Sequence, residues 1–347
     1  MAKVMVIGAG PAGLRAAESL ARFGLDVLLV EQAPYLGGAL ARHRYGGLMP
    51  YFDSGPQVLK AMTAVVTDHA RVTVCTESQV GRVESTDGGF QVELMGQTAT
   101  EEHVQAVILA TGFTHFDPRR DAKYGYGLFP DVITGAELEE QMAAGPVHRV
   151  SNGAIPESVA FIYCVGSRDR QVGNTYCSRV CCAVSTKQGI ELRQQLPQAR
   201  IVMFYMDVRT YGLWEDQLYW RAQEEAGIVY VKGRVAEITQ HDGRPLLKGE
   251  DTLIRGPFEW EFDLVVLATG MEPAAGTAAL AAKFGVEREP HGFLRQAKPM
   301  VSAAITNRPG VFVAGAASGP KTVEDSVMEG DVAAMAVLEH LGVKATP

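Results

Sequence analysis

Nowhere does the sequence carry an apolar run long enough to cross a membrane or to act as a secretory leader. The first apolar run, VMVIGAG from Val4, is broken by glycine after four residues. The expectation is a cytoplasmic chain with no membrane insertion. Basic charge is scarce as well. With 32 Lys and Arg against 40 Asp and Glu, the formal net charge is −8 and no basic arm or stripe offsets it, so nucleic acid is not an expected partner. There is no H-E-x-x-H and no nucleophile, histidine and acid set of the hydrolytic kind. C-x2-C is also missing, which removes the usual zinc knuckle and the usual redox dithiol. What remains is a chain of 347 residues, 47% hydrophobic and 21% charged, enough to bury the cores of about two domains.

The amino terminus is the most informative stretch. Residues 4–7 read as a short buried strand, Gly8-Ala9-Gly10-Pro11-Ala12-Gly13 opens an apolar-periodic helix over 14–23, and 25–30 is a second strand ending at Glu31. That is a βαβ dinucleotide-binding unit. Its glycines serve a tight turn, a close approach of backbone to pyrophosphate and close helix-to-strand packing, while the helix amino terminus favours the phosphate charge. Glu31, eighteen residues past Gly13, is placed to accept a hydrogen bond from a ribose hydroxyl.

The run Glu31-Gln32-Ala33-Pro34-Tyr35-Leu36-Gly37-Gly38, followed by Ala39, resembles the FAD site of two-dinucleotide-binding-domain flavoproteins such as thioredoxin reductase. Val107 to Gly112 and Leu264 to Gly270 are apolar strands that both end in A-T-G, the first in Ala110-Thr111-Gly112, and Val311 to Gly315 is a last strand of the same kind. The resemblance implies an α/β fold of two Rossmann-like domains, of the thioredoxin reductase and FAD-dependent pyridine nucleotide-disulfide oxidoreductase type. It implies a discontinuous FAD domain over 1–120 and 263–347, with a β-meander over 81–86, 90–94 and 98–103, and a second domain over 121–262. In the second domain the pattern breaks. After the strand at 158–163 no glycine triad follows; Cys164-Val165-Gly166-Ser167-Arg168 stands there, so no conventional NAD(P)H site is expected.

Four of the five cysteines occupy this region, spaced C-x12-C-x3-C-C at Cys164, Cys177, Cys181 and Cys182. The strand end, the polar turn and the start of a helix running to about Leu196 supply sulfurs from different directions. Such a set suits an iron–sulfur cluster, which takes four thiolates, with Arg168, Arg170, Arg179 and Lys187 near in sequence to offset its charge. Structural zinc, a strained Cys181–Cys182 disulfide and inert buried thiols remain open alternatives on spacing alone. Cys75, alternating within 72–76, reads as a small strand hydrophobe.

The segments C-V-G-S-R-D, N-T-Y-C-S-R-V-C-C and Lys187-Gln188, with F-Y-M-D-V-R at 204–209, Tyr124-Gly125-Tyr126-Gly127 and Gly319-Pro320-Lys321, resemble the A-type flavin subunit of heterodisulfide reductase over nearly the whole chain. The resemblance implies FAD and a [4Fe-4S] cluster on the four cysteines, other subunits of a heterodisulfide reductase-like complex as partners, and a homodimer. No C-x2-C-x2-C run exists, so the ferredoxin-like modules of the methanogen subunits are absent from this chain. That is similar to the short form found in complexes of sulfur oxidisers, and implies cytoplasmic oxidation of protein-bound sulfane sulfur without electron bifurcation. A methanogen-type bifurcating protein, an NAD(P)H-dependent disulfide reductase and a structural scaffold are the competing readings.

Around the flavin the same resemblance points to Lys321, before a last helix over 322–341, as a cation for the reduced ring, with Thr322 beside it. Ala316 follows Gly315 where many relatives place Asp, so backbone amides are expected to serve. Val80 is expected to contact adenine through its backbone, and His43 and Arg44 to reach the flavin or a partner. Tyr211, Trp214, Tyr219 and Trp220 fall in an expected helix and read as core or dimer packing, with a docking surface as the alternative, and Asp207 as a turn or cap at the end of a strand.

Overall fold

The computed structural model describes residues 2–97 and 99–343. Met1, Thr98 at the start of the expected third meander strand, and 344–347 of the expected FAD domain lie outside the described residues. The chain forms two compact units, one of residues 1–42, 57–114 and 272–347, the other of 43–56 and 115–271.

In the first unit the apolar runs become a five-stranded parallel sheet in the order Val311–Val313, Ala106–Leu109, Lys3–Ile7, Asp26–Val30, Val72–Cys75. Both faces are covered, which is why these strands read as continuous apolar segments rather than alternating ones. The helix Pro11–Arg22 starts with proline at its first position, where a missing N–H costs nothing. It crosses the last helix, Val323–His340, at Gly330, where a Cβ would lie 2.5 Å from the Ala12 carbonyl oxygen. Arg15 Nε bonds Asp331 at 2.8 Å beside that crossing. The last helix begins with a capping box in which the Thr322 hydroxyl accepts from the Asp325 N–H. Strands Ser78–Thr86, Gly89–Gly96 and Thr100–Val104 form the antiparallel meander. Cys75 ends the edge strand, partly buried.

The second unit has a seven-stranded mixed sheet, ordered Val132–Thr134, Leu264–Thr269, Ser158–Val165, Arg200–Tyr205, Val229–His241, Arg244–Asp251, Gly256–Glu261. The first five strands are parallel and the last three antiparallel. Asp242 and Gly243, both with positive φ, make the tight turn that joins two long strands. The helices Gly135–Ala144 and Cys181–Gln195 pack on this sheet with the apolar core between. The aromatic segment departs from the single helix expected. Tyr211 and Trp214 stack at 5.6 Å ahead of a π-helical stretch, Glu215–Trp220, that runs into a short α-helix, Arg221–Glu224. Among the described residues no helix is long and apolar enough to cross a membrane.

Candidate dinucleotide and cysteine sites

The glycine turn after the first strand separates packing from ligand approach. A Cβ on Gly8 would lie 2.4 Å from the Ala110 oxygen, and one on Gly13 only 1.8 Å from the Gly8 oxygen, so the chain itself demands glycine at both. At Gly10 the nearest atom to such a Cβ is Gly38 Cα at 3.9 Å, in an extended conformation open to any residue. Among the described residues nothing crowds that position, which leaves the room that a pyrophosphate approaching the backbone would take. Ala12 and Gly13 follow Pro11 in the first turn, which holds no acid and so keeps the positive end of the helix uncompensated. Gly37 donates its N–H to the Ala9 carbonyl at 2.7 Å, joining the second glycine turn to the first. Glu31 is buried at the end of the second strand and accepts the N–H groups of Ala9 and Ala33, each at 2.8 Å. These two bonds, one to each oxygen, fix the orientation of the carboxylate.

Ala110, Thr111 and Gly112 close the same cradle against Gly8, and the Thr111 hydroxyl is buried without a hydrogen-bond partner. An orphaned hydroxyl beside an open glycine turn fits a bound dinucleotide. Gly315, with φ 67°, packs on the Ala12 methyl, and Ala316 follows it, buried. Gln32 is exposed, and Ala39 opens the short helix Ala39–Arg42. The Val80 carbonyl accepts Lys283 Nζ at 2.6 Å, so one of its two backbone groups is already engaged. Lys321 is no solvated loop lysine: its ammonium is 2.8 Å from Ser318 Oγ and 3.4 Å from the Glu329 carboxylate, which also accepts the Gly315 amide at 2.9 Å. Burial pushes the Glu329 carboxyl above its ordinary range, with Lys321 opposing. Glu329, to which no motif pointed, thus ties Lys321 to the turn at Gly315. His43 falls in the second unit, its ring 5.0 Å from that of His115.

The second unit brings the four sulfurs into one neighbourhood. Cys164 lies within the strand Ser158–Val165 with φ 61°, and this left-handed residue coincides with a shift in the strand register between Ile162 and Val165. Such a conformation costs a non-glycine residue about 1 kcal/mol or more and persists only where surroundings impose it. Arg168 and Arg179 are left-handed as well, at 55° and 64°. The loop between is pinned by buried Asp169, which pairs with Arg234 and with Lys123 and accepts the Gln171 N–H at 2.9 Å. Cys177 Sγ accepts the Arg179 N–H at 3.3 Å, Cys181 and Cys182 begin the helix Cys181–Gln195, and Tyr163 donates to the Cys182 carbonyl at 3.4 Å.

None of the five cysteines is in a disulfide. Burial, with Cys182 nearby, pushes the Cys164 thiol up to about 11 despite Arg168. The hydrogen bond Cys181 gives to Cys182, together with burial, drives Cys181 well above the thiol range; the same bond, with Arg209 and Arg168, lowers Cys182. Cys164, Cys177 and Cys182 all act on Cys181. Cys164 and Cys181 are thus buried thiols held in the neutral form, while Cys182 is the one shifted towards the thiolate. Among the described residues no group of three or more His, Cys, Asp or Glu side chains is arranged to hold a metal ion. What the residues offer is the donor type alone: four cysteine sulfurs, three of which act on the fourth, the ligand set an iron–sulfur cluster takes. Arg168 bonds Asp207 at 2.6 Å and sets its charge against Cys164, which gives Asp207 a partner rather than the turn or cap role expected of it. Lys187, expected near the thiols, is instead fully buried between Glu139 and Glu191.

A family model described as an NAD(P)-binding Rossmann-like domain matches residues 6–71. The A-type subunit of the H2:CoB-CoM heterodisulfide, ferredoxin reductase of Methanothermobacter marburgensis is 30% identical over 96% of this chain. The chain is a homologue of the A-type heterodisulfide reductase subunit. Its counterpart in the Ferredoxin/F420H2-dependent CoB-CoM heterodisulfide reductase of Methanosarcina acetivorans is 31% identical over 98% of the chain. The chain spans 63% of the length of the first of these relatives and 53% of the second. Both are named as parts of reductases. Thioredoxin reductase of Lactococcus lactis superposes with a TM-score of 0.68 at 18% identity, covering 99% of each chain, and that of T. acidophilum with 0.66 at 18% identity, covering 98% and 99%. The fold is therefore the mixed α/β arrangement of that class, as the sequence implied.

Proposed function

We propose that the chain is an electron-transfer subunit that holds FAD in the first unit and a [4Fe-4S] cluster on Cys164, Cys177, Cys181 and Cys182 in the second. The observation that carries this reading is the gathering of four free, mutually interacting thiols where a nicotinamide-binding domain would have its glycine turn. When bound, FAD accepts or yields two electrons and the cluster one at a time. The chain's own work is positional. Gly10 and the first turn of the Pro11–Arg22 helix would take the pyrophosphate, Glu31 the ribose, and Lys321 the charge of the reduced ring, moderated by Glu329. Arg168, Arg179 and Arg209 would offset charge at the sulfurs.

The partners on this reading are further subunits of a heterodisulfide reductase-like complex, with a homodimer as the family-based expectation and the cytoplasm as the compartment. The setting is oxidation of protein-bound sulfane sulfur. Against bifurcation stands the chain's economy. Its alignment with the Methanothermobacter relative extends over 415 positions although the chain has 347 residues, so the relative carries segments inside the matched region that have no counterpart here. A single cluster gives electrons one exit.

Protein purified without oxygen and assayed for flavin, iron, sulfide and zinc tests the reading. One flavin and about four irons with matching sulfide per chain, and an electron spin resonance signal on reduction, are expected. Zinc in place of iron, or rapid flavin bleaching by NAD(P)H with thiols that cycle, sinks it in favour of a zinc site or a disulfide reductase. Crossed flavin potentials would restore bifurcation.

A further inference from the structure

The second unit contains a buried ionic group that the proposed electron transfer leaves unexplained. Lys187 and Glu139 are each 1% exposed and bonded to one another, and Glu191 Oε2 lies 2.9 Å from the same ammonium. Two carboxylates share one cation, so the ensemble carries an excess negative charge when all three ionise. Burying such an excess is costly unless a proton removes it. The two acids are not equivalent. Glu139 is the more fully bonded: besides Lys187 it accepts Gln188 Nε2 at 3.0 Å and the Gly46 N–H at 3.3 Å. Glu191 has Lys187 and the Gly47 N–H, and its side chain keeps 20% exposure, which gives a proton a route from water. Burial already favours its protonated form.

We infer that Glu191 is a proton-accepting residue, taking one proton from solvent when an electron arrives at the four-cysteine site. This rests on the reading that those cysteines hold a redox centre. The connection is the helix Cys181–Gln195, which carries Cys181 and Cys182 at one end and Lys187 and Glu191 further along. Nine residues separate Cys182 from Glu191, about 14 Å along the axis. Through a protein interior, charge over that distance is poorly screened, unlike charge across water. The balance is simple. The cysteine site gains one electron from the flavin or from an external one-electron donor; the Glu191 carboxylate gains one proton and becomes a carboxylic acid. No covalent bond to carbon or sulfur changes, and the combined charge of the cysteine site and the ionic group is unchanged, the electron added to one being matched by the proton added to the other.

The surrounding groups leave Glu191 as the member able to respond. From the segment 43–56, Tyr45 is buried, with its hydroxyl pushed well above its ordinary range by burial and by Glu139, and the Lys187 ammonium sits 5.8 Å from its ring. His43 lies beyond it, 6.1 Å from Tyr45 and 3.7 Å from Glu140 on the Gly135–Ala144 helix. From the Arg221–Glu224 helix, Arg221 covers the Phe52 ring and pairs with Glu225 at 3.2 Å.

The test is a potentiometric titration of the iron-loaded protein, followed by spin resonance between about pH 6 and pH 9, on the wild type and on Glu191→Gln. The wild-type midpoint is expected to fall as pH rises, and the slope to be lost in E191Q. Reduced-minus-oxidised infrared spectra of the wild type are expected to show a carboxylic acid carbonyl band that E191Q lacks. A flat wild-type midpoint with iron present, or a slope and band that survive in E191Q, overturns the inference while leaving the cluster reading intact. A flat wild-type midpoint overturns the inference even where E191Q fails to fold, and Glu191→Asp then takes its place: a carbonyl band that does not move in E191D overturns it too. Protein without iron overturns the cluster reading first, and this inference with it.

Discussion

The Glu329 carboxylate accepts the Gly315 amide at 2.9 Å and lies 3.4 Å from the Lys321 ammonium. One side chain on the last helix therefore closes the turn after the last strand and also sets how much positive charge Lys321 presents. Separating those two tasks gives the first prediction. Glu329→Gln keeps an acceptor for the amide but strips Lys321 of its counter-charge, so the flavin midpoint is expected to rise, read by spectroelectrochemistry. Glu329→Ala also leaves a buried amide unsatisfied and is expected to cost about 1–3 kcal/mol in denaturant unfolding, with a lower flavin content on purification. An unchanged flavin midpoint in E329Q would remove Lys321 from the flavin's surroundings.

The glycine turn gives a paired prediction. Gly10→Ala has room within the protein and an unstrained backbone, so its melting temperature without flavin should match the wild type within error while FAD binding falls at least tenfold. Gly13→Ala drives a methyl to within 1.8 Å of the Gly8 oxygen and is expected to destabilise the unit itself. Calorimetry and flavin titration of the two variants separate ligand approach from packing. Equal binding by G10A and wild type would mean that the pyrophosphate lies elsewhere.

The cysteines are distinguishable by the same logic. Serine at Cys164, Cys177, Cys181 or Cys182 should cut iron content to less than half, whereas Cys75→Ser, on an edge strand in the other unit, should leave iron unchanged. Iron and sulfide assays on five single variants suffice. Iron retained by all of them would show that the metal does not depend on this thiol set.

How much of this was legible in the sequence depended on whether a neighbour in the chain or a distant partner set the role. The strands Lys3–Ile7, Ala106–Leu109, Ser158–Val165 and Leu264–Thr269 declared themselves because parallel strands covered on both faces must be apolar throughout. Gly8, Gly10 and Gly13 were readable because one local turn sets their roles, and Cys181 and Cys182 were placed correctly at a helix start. Lys187 was misplaced by counting along the chain. Five residues past Cys182 on a helix is about 140° around the axis, which turns its ammonium away from the thiols and toward Glu139 and Glu191. Glu329 was invisible because its partners Gly315 and Lys321 lie up to fourteen residues upstream and meet it only when the last strand and helix pack. The segment 43–56 follows the Ala39–Arg42 helix of the first unit but belongs to the second. The glycine amides that hold Glu139 and Glu191 form no motif in sequence.

Asp131 supplies the last prediction, on pH. It is buried, and burial alone would raise its carboxyl. Hydrogen bonds from the Ser151 hydroxyl at 2.7 Å and its N–H at 3.0 Å, and from Arg149 at 2.9 Å, outweigh that and hold the group below the usual carboxylate range. An acid whose folded value is depressed binds fewer protons folded than unfolded in the acid range. Its contribution to stability is therefore complete above the unfolded value, near pH 4, and is lost as pH falls through the folded one. Asp169, lowered by the Gln171 amide and by Lys123 and Arg234 against its own burial, has the same sign. Chemical unfolding of the second unit is expected to weaken steadily below about pH 4, and Asp131→Asn to flatten part of that limb. At neutral pH the same variant should be less stable than wild type, because Arg149, itself only 12% exposed, loses its closest counter-charge and keeps Asp263 at 3.6 Å. A loss of about 3 kcal/mol is the scale for breaking a buried pair. An acid limb as steep in D131N as in wild type would assign the pH dependence to other carboxylates.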